Sequence, residues 1–339
     1  MEIEDQVLNC LSTLTGFNGK FGMLLPTGST ANLMALFAAR ESLRRQTSGE
    51  PTGENLSFRI VASEQRHASV DFAAKLLFGR DVAISSVATR RTGEMDSSAL
   101  FVTIRKAVES GADGIIFVAT AGTTSQGAID PINAIIEAHI DVPFWLHVDG
   151  AYGGGAAISR SMHWAFAGLE RANSFSLNPH KWLLTPMDVS CLLLREHSED
   201  LFSTDSDASY LTLPVDGSQR ARNGFEFTRM DRALKTYVAL ATVGTNFLSQ
   251  EIERQISLAH EMQQRLERFP RVEVLPRGAL GVVCFRFFTP QQSSCIDKLN
   301  NLNQLLFSAV LRGGVACIST TKLSGILYLR VCFLNSKTE

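Results

Sequence analysis

Lys181 lies in the run Asn178-Pro179-His180-Lys181-Trp182-Leu183-Leu184, among largely apolar neighbours. A lysine is ordinarily a solvated surface charge, but one stripped of water has its pKa lowered and its amine freed for nucleophilic use. Asp149 closes the apolar run Phe144-Trp145-Leu146-His147-Val148 and precedes Gly150-Ala151-Tyr152-Gly153-Gly154-Gly155. A carboxylate at the end of a buried strand is costly without a cationic partner; the alternative is a turn or helix-cap residue. Pro26-Thr27-Gly28-Ser29-Thr30 stands immediately before a helix, where free N–H groups, the helix dipole and hydroxyls form an anion cradle or, more plainly, a cap. A second Gly/Thr cluster, Ala121-Gly122-Thr123-Thr124, follows a strand ending at Thr120 and reads as a ligand-side loop or a simple turn. His67 opens a helix and offers an imidazole that could stack on an aromatic ring, or a structural ring. Tyr210 sits in an irregular stretch as a proton donor or a hydrophobic anchor.

Positioning such groups requires a scaffold, and the pattern around them supplies one. Helix signals at Ser29–Arg44 and His67–Phe78 flank an apolar strand, Phe58–Ala62. Continuous apolar runs follow at Gly114–Ala119, Pro143–Val148, Ser174–Leu177 and Val189–Leu194. Strands that are apolar throughout and separated by helices predict a mostly parallel sheet covered on both faces, with ligands gathered at the strands' carboxyl ends. Residues 203–227 carry Asp, Pro, Gly and Asn with little periodicity and read as a long lid loop. One long helix is expected from Arg229 to Leu266. A strand (Gly281–Phe287), a helix (Asp297–Leu311) and two strands (Val315–Ser319, Ile326–Phe333) then suggest a small α+β unit. The predicted domains are an N-terminal helical segment (1–20), a large α/β domain (21–245) and a small C-terminal domain (246–339). The amphipathic pattern already running at Ile3 and the abrupt end predict a chain trimmed at both ends.

The 339 residues, 45% hydrophobic and 19% charged with a net charge of −2, give no electrostatic case for nucleic acid or a membrane surface. No apolar run reaches bilayer length, and acidic Glu2, Glu4 and Asp5 are unlike a secretory signal. The six cysteines lack any CxxC pair and sit among apolar neighbours, which predicts free thiols in a reducing, cytoplasmic setting. The histidines show no metal-ligand spacing.

A nucleophilic amine, a strand-end acid able to hold a proton on a pyridine nitrogen, and a phosphate cradle together are what pyridoxal phosphate needs as an electron sink. Here the sequence resembles the group II pyridoxal-phosphate-dependent amino-acid decarboxylases, of the aromatic-L-amino-acid decarboxylase type. The strongest match is Ser176 to Leu184 with Asp188 and Ser190. His147 to Tyr152, Ala119 to Thr124, Gly28 to Leu33, Ser63 to Ser69, Arg232 to Lys235, Val283 to Arg286 and Tyr328 to Val331 follow the family's order. The resemblance implies an aspartate-aminotransferase-like α/β fold (type I), with a large, mostly parallel seven-stranded sheet domain and a small C-terminal α+β domain. It implies a homodimer acting on a small amino-acid substrate. By position, Lys181 would bind the cofactor as a Schiff base, with Asp149 at the pyridine nitrogen, Ala151 on one ring face and His67 on the other. Thr27, Gly28, Ser29 and Asn178 would hold the phosphate, Thr120 would lie near the cofactor, His180 beside the lysine, and Tyr210 would protonate the substrate carbon. Met230-Asp231 departs from a more usual Arg-Phe pair. The expected activity is decarboxylation of an L-amino acid, aromatic by resemblance, to amine and carbon dioxide. The alternatives are an aldehyde synthase or other lyase of the same fold, or a truncated non-catalytic paralogue.

Overall fold

A computed structural model of the chain describes residues 2–48, 56–196, 201–202, 226, 228–289, 295–314 and 316–338. The expected lid (203–227), with Tyr210, lies outside the described residues except for Glu226. Seven strands, β1 (Phe21–Leu25), β2 (Phe58–Ser63), β3 (Ile84–Val87), β4 (Gly114–Thr120), β5 (Phe144–Gly150), β6 (Ser174–Leu177) and β7 (Ser190–Leu194), form one sheet in the order β1-β7-β6-β5-β4-β2-β3. Only β7 runs against the others, so the sheet is mostly parallel as expected.

The apolar runs become central strands because both of their faces are covered. Along β4, Ile115, Phe117 and Ala119 enter one buried cluster while Ile116 and Val118 enter the cluster on the opposite side. Alternation of side chains across a strand makes a fully apolar segment the signature of such a two-sided layer. Helix α1 (Glu2–Leu14) packs on one face and α2 (Gly28–Ser48) on the other, with α3 (Ala68–Phe78), α4 (Ser97–Glu109) and the short α5 (Ile132–Glu137) between strands. Arg229 anchors α1 through both Glu4 oxygens, at 2.7 and 3.1 Å.

The expected helix 229–266 is two helices, α6 (Arg232–Val243) and α7 (Thr245–Leu266). Gly244 breaks it at φ +81°, a conformation open to glycine and costly for other residues, while its N–H still bonds Leu240 O at 2.9 Å. A second sheet, order β10-β11-β9-β8, is antiparallel and joins β8 (Val272–Val274), β9 (Val282–Phe287), β10 (Ser319–Leu323) and β11 (Ile326–Cys332), with α8 (Ile296–Gly313) against it. The strand expected at 315–319 is displaced: β10 begins where the prediction ends. Its polar Ser319-Thr320-Thr321-Lys322 suits a half-exposed edge, and Ser324-Gly325, both at positive φ, turn it directly into β11.

Candidate active site

Sheet register brings the chemistry together. Thr120, Asp149 and Ser176 are paired neighbours across β4, β5 and β6, near or at the carboxyl ends of these parallel strands. Pro26-Thr27 follows β1 at the same edge and leads into α2, and a turn after β6 carries Lys181, whose N–H bonds Asn178 O at 2.9 Å. Every candidate except Tyr210, which lies outside the described residues, lines one cleft of about 300 Å³: Thr27, Gly28, Ser29, His67, Thr120, Asp149, Ala151, Asn178, His180 and Lys181. That volume is at the low end for small-molecule sites.

Lys181 is half-buried. Loss of water lowers its pKa, the Asp149 carboxylate pulls it back up and the nearby Arg330 pushes it further down. Asp149 is buried at 4% exposure, and its oxygens accept from Asn32 Nδ2 at 2.8 Å and Ala151 N at 3.1 Å. His67 caps α3, its Nδ1 accepting from Ser69 N at 3.2 Å, which leaves the ring at the cleft. His180 accepts from Val189 N through Nδ1 at 3.0 Å, and burial followed by the Lys181 charge lowers its pKa. Asn178 Oδ1 accepts from Ser190 Oγ at 2.8 Å.

The cap and cradle readings of Thr27 are compatible. Its hydroxyl accepts from Thr30 N at 3.2 Å, while the N–H groups of Gly28 and Ser29 stand in the first turn, where no intrahelical acceptor exists. A Cβ on Gly28 would meet Ala151 Cβ at 3.0 Å and Asn178 Nδ2 at 3.2 Å, so glycine keeps the cradle open. Thr120 Oγ1 is buried without a hydrogen-bond partner among the described residues, although its residue lines the cleft. An anion cradle, an acid at depth, a less basic amine and an unpartnered hydroxyl fit pyridoxal phosphate in size and chemistry. Among the described residues, no group of three or more His, Cys, Asp or Glu is arranged to hold a metal ion.

Other cleft contacts had no assigned role in the sequence reading. Tyr152 lines the cleft, meets Trp182 edge-on at 5.5 Å between ring centres, and accepts a long contact of 3.6 Å from Cys332 Sγ on β11, so the second sheet closes one side. Lys235 on α6 donates to Met187 O at 3.0 Å, and Met187 also lines the cleft. Asn32, Ser69, His147 and Ser174 form a buried polar chain behind Asp149. The signal available for these was a polar residue inside an otherwise apolar element: Asn32 within an alanine-rich helix, His147 within β5.

Comparison with known proteins agrees with this arrangement. The family model described as the pyridoxal-dependent decarboxylase conserved domain matches residues 1–288. The aromatic-L-amino-acid decarboxylase of Bacillus atrophaeus is 32% identical over 99% of this chain and 70% of its own length. The phenylacetaldehyde synthase of a Rosa hybrid cultivar is 29% identical over 95% of this chain and 65% of its own. The crystal structure of Oryza sativa TDC with PLP and tryptamine superposes with a TM-score of 0.87 at 25% identity, covering 99% of this chain and 72% of that one. The chain thus spans roughly two thirds of the relatives it matches, and its large sheet with a smaller antiparallel one is the type I fold of these enzymes. By the extent of the family match and by its similarity to the Bacillus enzyme, this chain belongs to the pyridoxal-dependent decarboxylase family.

Proposed function

We propose that the protein decarboxylates an L-amino acid, aromatic in class, to the amine and carbon dioxide. The observation that carries the reading is that Lys181, Asp149, whose charge acts on it, and the cradle at Thr27–Ser29 all line one cleft. Bound pyridoxal phosphate supplies a conjugated ring that accepts the electron pair left by a departing carboxylate. Lys181, made less basic by burial, would be the residue that holds the cofactor through its amine. Asp149 would hold a proton at the ring nitrogen, which would keep the ring electron-poor. Gly28, Ser29 and Asn178 hold the phosphate, with Thr27 shaping their turn, and Thr120 offers its hydroxyl to the cofactor. Ala151 and His67, which line the same cleft, would flank the ring, with His180 beside the lysine in sequence.

Tyr210, which lies outside the described residues, would by the family resemblance return a proton to the substrate α-carbon. The similarity to a phenylacetaldehyde synthase gives the second reading its specific support: the same site releasing an aldehyde. Tyr210 and His67, both present, favour the amine. Incubating the purified chain with pyridoxal phosphate and a panel of amino acids, with mass spectrometry of the products, separates these readings. Amine with carbon dioxide is expected; aldehyde with peroxide would reverse the ranking, and no product from any proteinogenic amino acid would overturn both.

A homodimer fits the surface. Phe72 and Leu76 lie one turn apart on α3, exposed at 70% and 62%, and Leu234, Tyr237 and Val238 form a second exposed apolar row on α6. His67, the cap of the first helix, and Met187, bonded by Lys235 of the second, both line the cleft, and a second copy covering these helices is proposed to border the site. All six cysteines are free, which supports a reducing, cytoplasmic setting. Among the described residues no helix is long and apolar enough to cross a membrane.

A further inference from the structure

Asn32 is 1% exposed on the inner face of α2 and contacts three polar side chains at once. Its Nδ2 lies 2.8 Å from Asp149 Oδ2 and 2.9 Å from Ser69 Oγ, and its Oδ1 lies 3.0 Å from His147 Nε2. Ser69 Oγ in turn meets His67 Nδ1 at 2.8 Å, and His147 Nδ1 meets Ser174 Oγ at 2.9 Å, which also accepts from the Trp145 indole at 3.0 Å.

The direction of every bond follows from groups that have only one role. The Asn32 NH2 donates to the Asp149 carboxylate, which leaves the amide oxygen toward His147. His147 then carries its proton on Nε2, and its Nδ1 takes the Ser174 hydroxyl proton. At the other end the Ser69 backbone N–H only donates, so His67 Nδ1 bears no proton. Ser69 Oγ accepts from Asn32 and gives its own proton to the same His67 nitrogen. The ring's remaining donor is His67 Nε2–H. No alternative orientation of Asn32 satisfies Asp149 without placing oxygen against oxygen.

We propose that Asn32, together with Ser69, is a positioning residue that couples Asp149 to His67. One amide holds the carboxylate assigned to the ring nitrogen and, through one hydroxyl, orients the imidazole assigned to the ring face and reinforces the tautomer that the Ser69 backbone N–H selects. Two cofactor contacts, one at the ring nitrogen and one on a ring face, are therefore oriented by a single side chain of α2. The consequence for the loaded enzyme rests on the decarboxylase reading above; the two histidine tautomers do not.

The test uses the full chain with 15N-labelled histidine, before and after addition of pyridoxal phosphate. His67 and His147 are both expected to show an unprotonated Nδ1 and a protonated Nε2. Asn32→Ala moves the His67 signals although Asn32 does not touch that ring, and Ser69→Ala moves them too, whereas Ser69→Thr, which keeps the hydroxyl, returns them toward wild type. Loss of one charge-assisted hydrogen bond weakens cofactor binding by Asn32→Ala about tenfold. In the loaded enzyme Ser69→Ala lowers kcat about tenfold, with KM within about twofold, and Ser69→Thr restores it. A proton on His67 Nδ1 in the wild type, or His67 signals unmoved by both Asn32→Ala and Ser69→Ala, would overturn the proposal. Should Asn32→Ala fail to fold, the Ser69 pair decides. A wild-type chain that takes up no cofactor sinks the decarboxylase reading, while the histidine signals still settle the relay.

Discussion

Each proposed role depends on what surrounds one side chain. Burial makes the Lys181 amine less basic, and the Asp149 carboxylate opposes that loss. Borohydride reduction of the cofactor-loaded chain should leave the cofactor on the peptide containing Lys181, and Lys181→Ala should lose both the label and the visible band. A labelled peptide elsewhere, with Lys181 unmodified, would refute the assignment. His147 gives a prediction of a different kind. Burial drops its pKa from 6.5 to about 4, against the pull of Asp149. The unfolded ring takes up a proton below about 6.5 that the folded ring refuses. Its contribution to stability is therefore complete above that pH and is lost as the pH falls from about 6.5 toward about 4. Urea midpoints should fall across this window in the wild type and fall less steeply in His147→Gln; parallel slopes would show that the ring is not the source.

At the scale of elements, the site is a product of strand register and tight turns. Gly122 holds φ +106° just beyond β4, and a Cβ there would come within 2.7 Å of Gly153 N and 2.9 Å of the Tyr152 ring. Gly122→Ala is therefore expected to cost about 1–3 kcal/mol in chemical denaturation and to disturb Tyr152 in the cleft. An unchanged midpoint would mean that the turn relaxes freely. The central strands were legible in the sequence because they are buried on both faces, and Lys181, Asp149 and the Thr27–Ser29 turn were legible because polar groups at the ends of such strands stand out. The break at Gly244 was harder to read, since the apolar period of α6 resumes in α7 with almost no loss of phase. The edge strand β10 escaped because its residues are polar and its pairing comes from the Ser324-Gly325 turn. The roles of Asn32 and Ser69 required distances: only folding shows that an amide on α2 reaches both β5 and the start of α3.

For the molecule as a whole, the exposed apolar rows on α3 and α6 predict a dimer whose interface borders the cleft. Leu76→Glu combined with Val238→Glu should shift sedimentation velocity from dimer to monomer and lower catalytic activity with it; a wild-type chain that sediments as a monomer would refute the interface. The central claim is that this chain, through Lys181, removes the carboxylate of an amino acid. Its most direct test is release of labelled carbon dioxide from carboxyl-labelled aromatic amino acids by the chain loaded with pyridoxal phosphate, read beside Lys181→Ala. The account predicts carbon dioxide and amine in equal amounts from the wild type and neither from the variant. Absence of label from the loaded wild type, or equal release by Lys181→Ala, would contradict it.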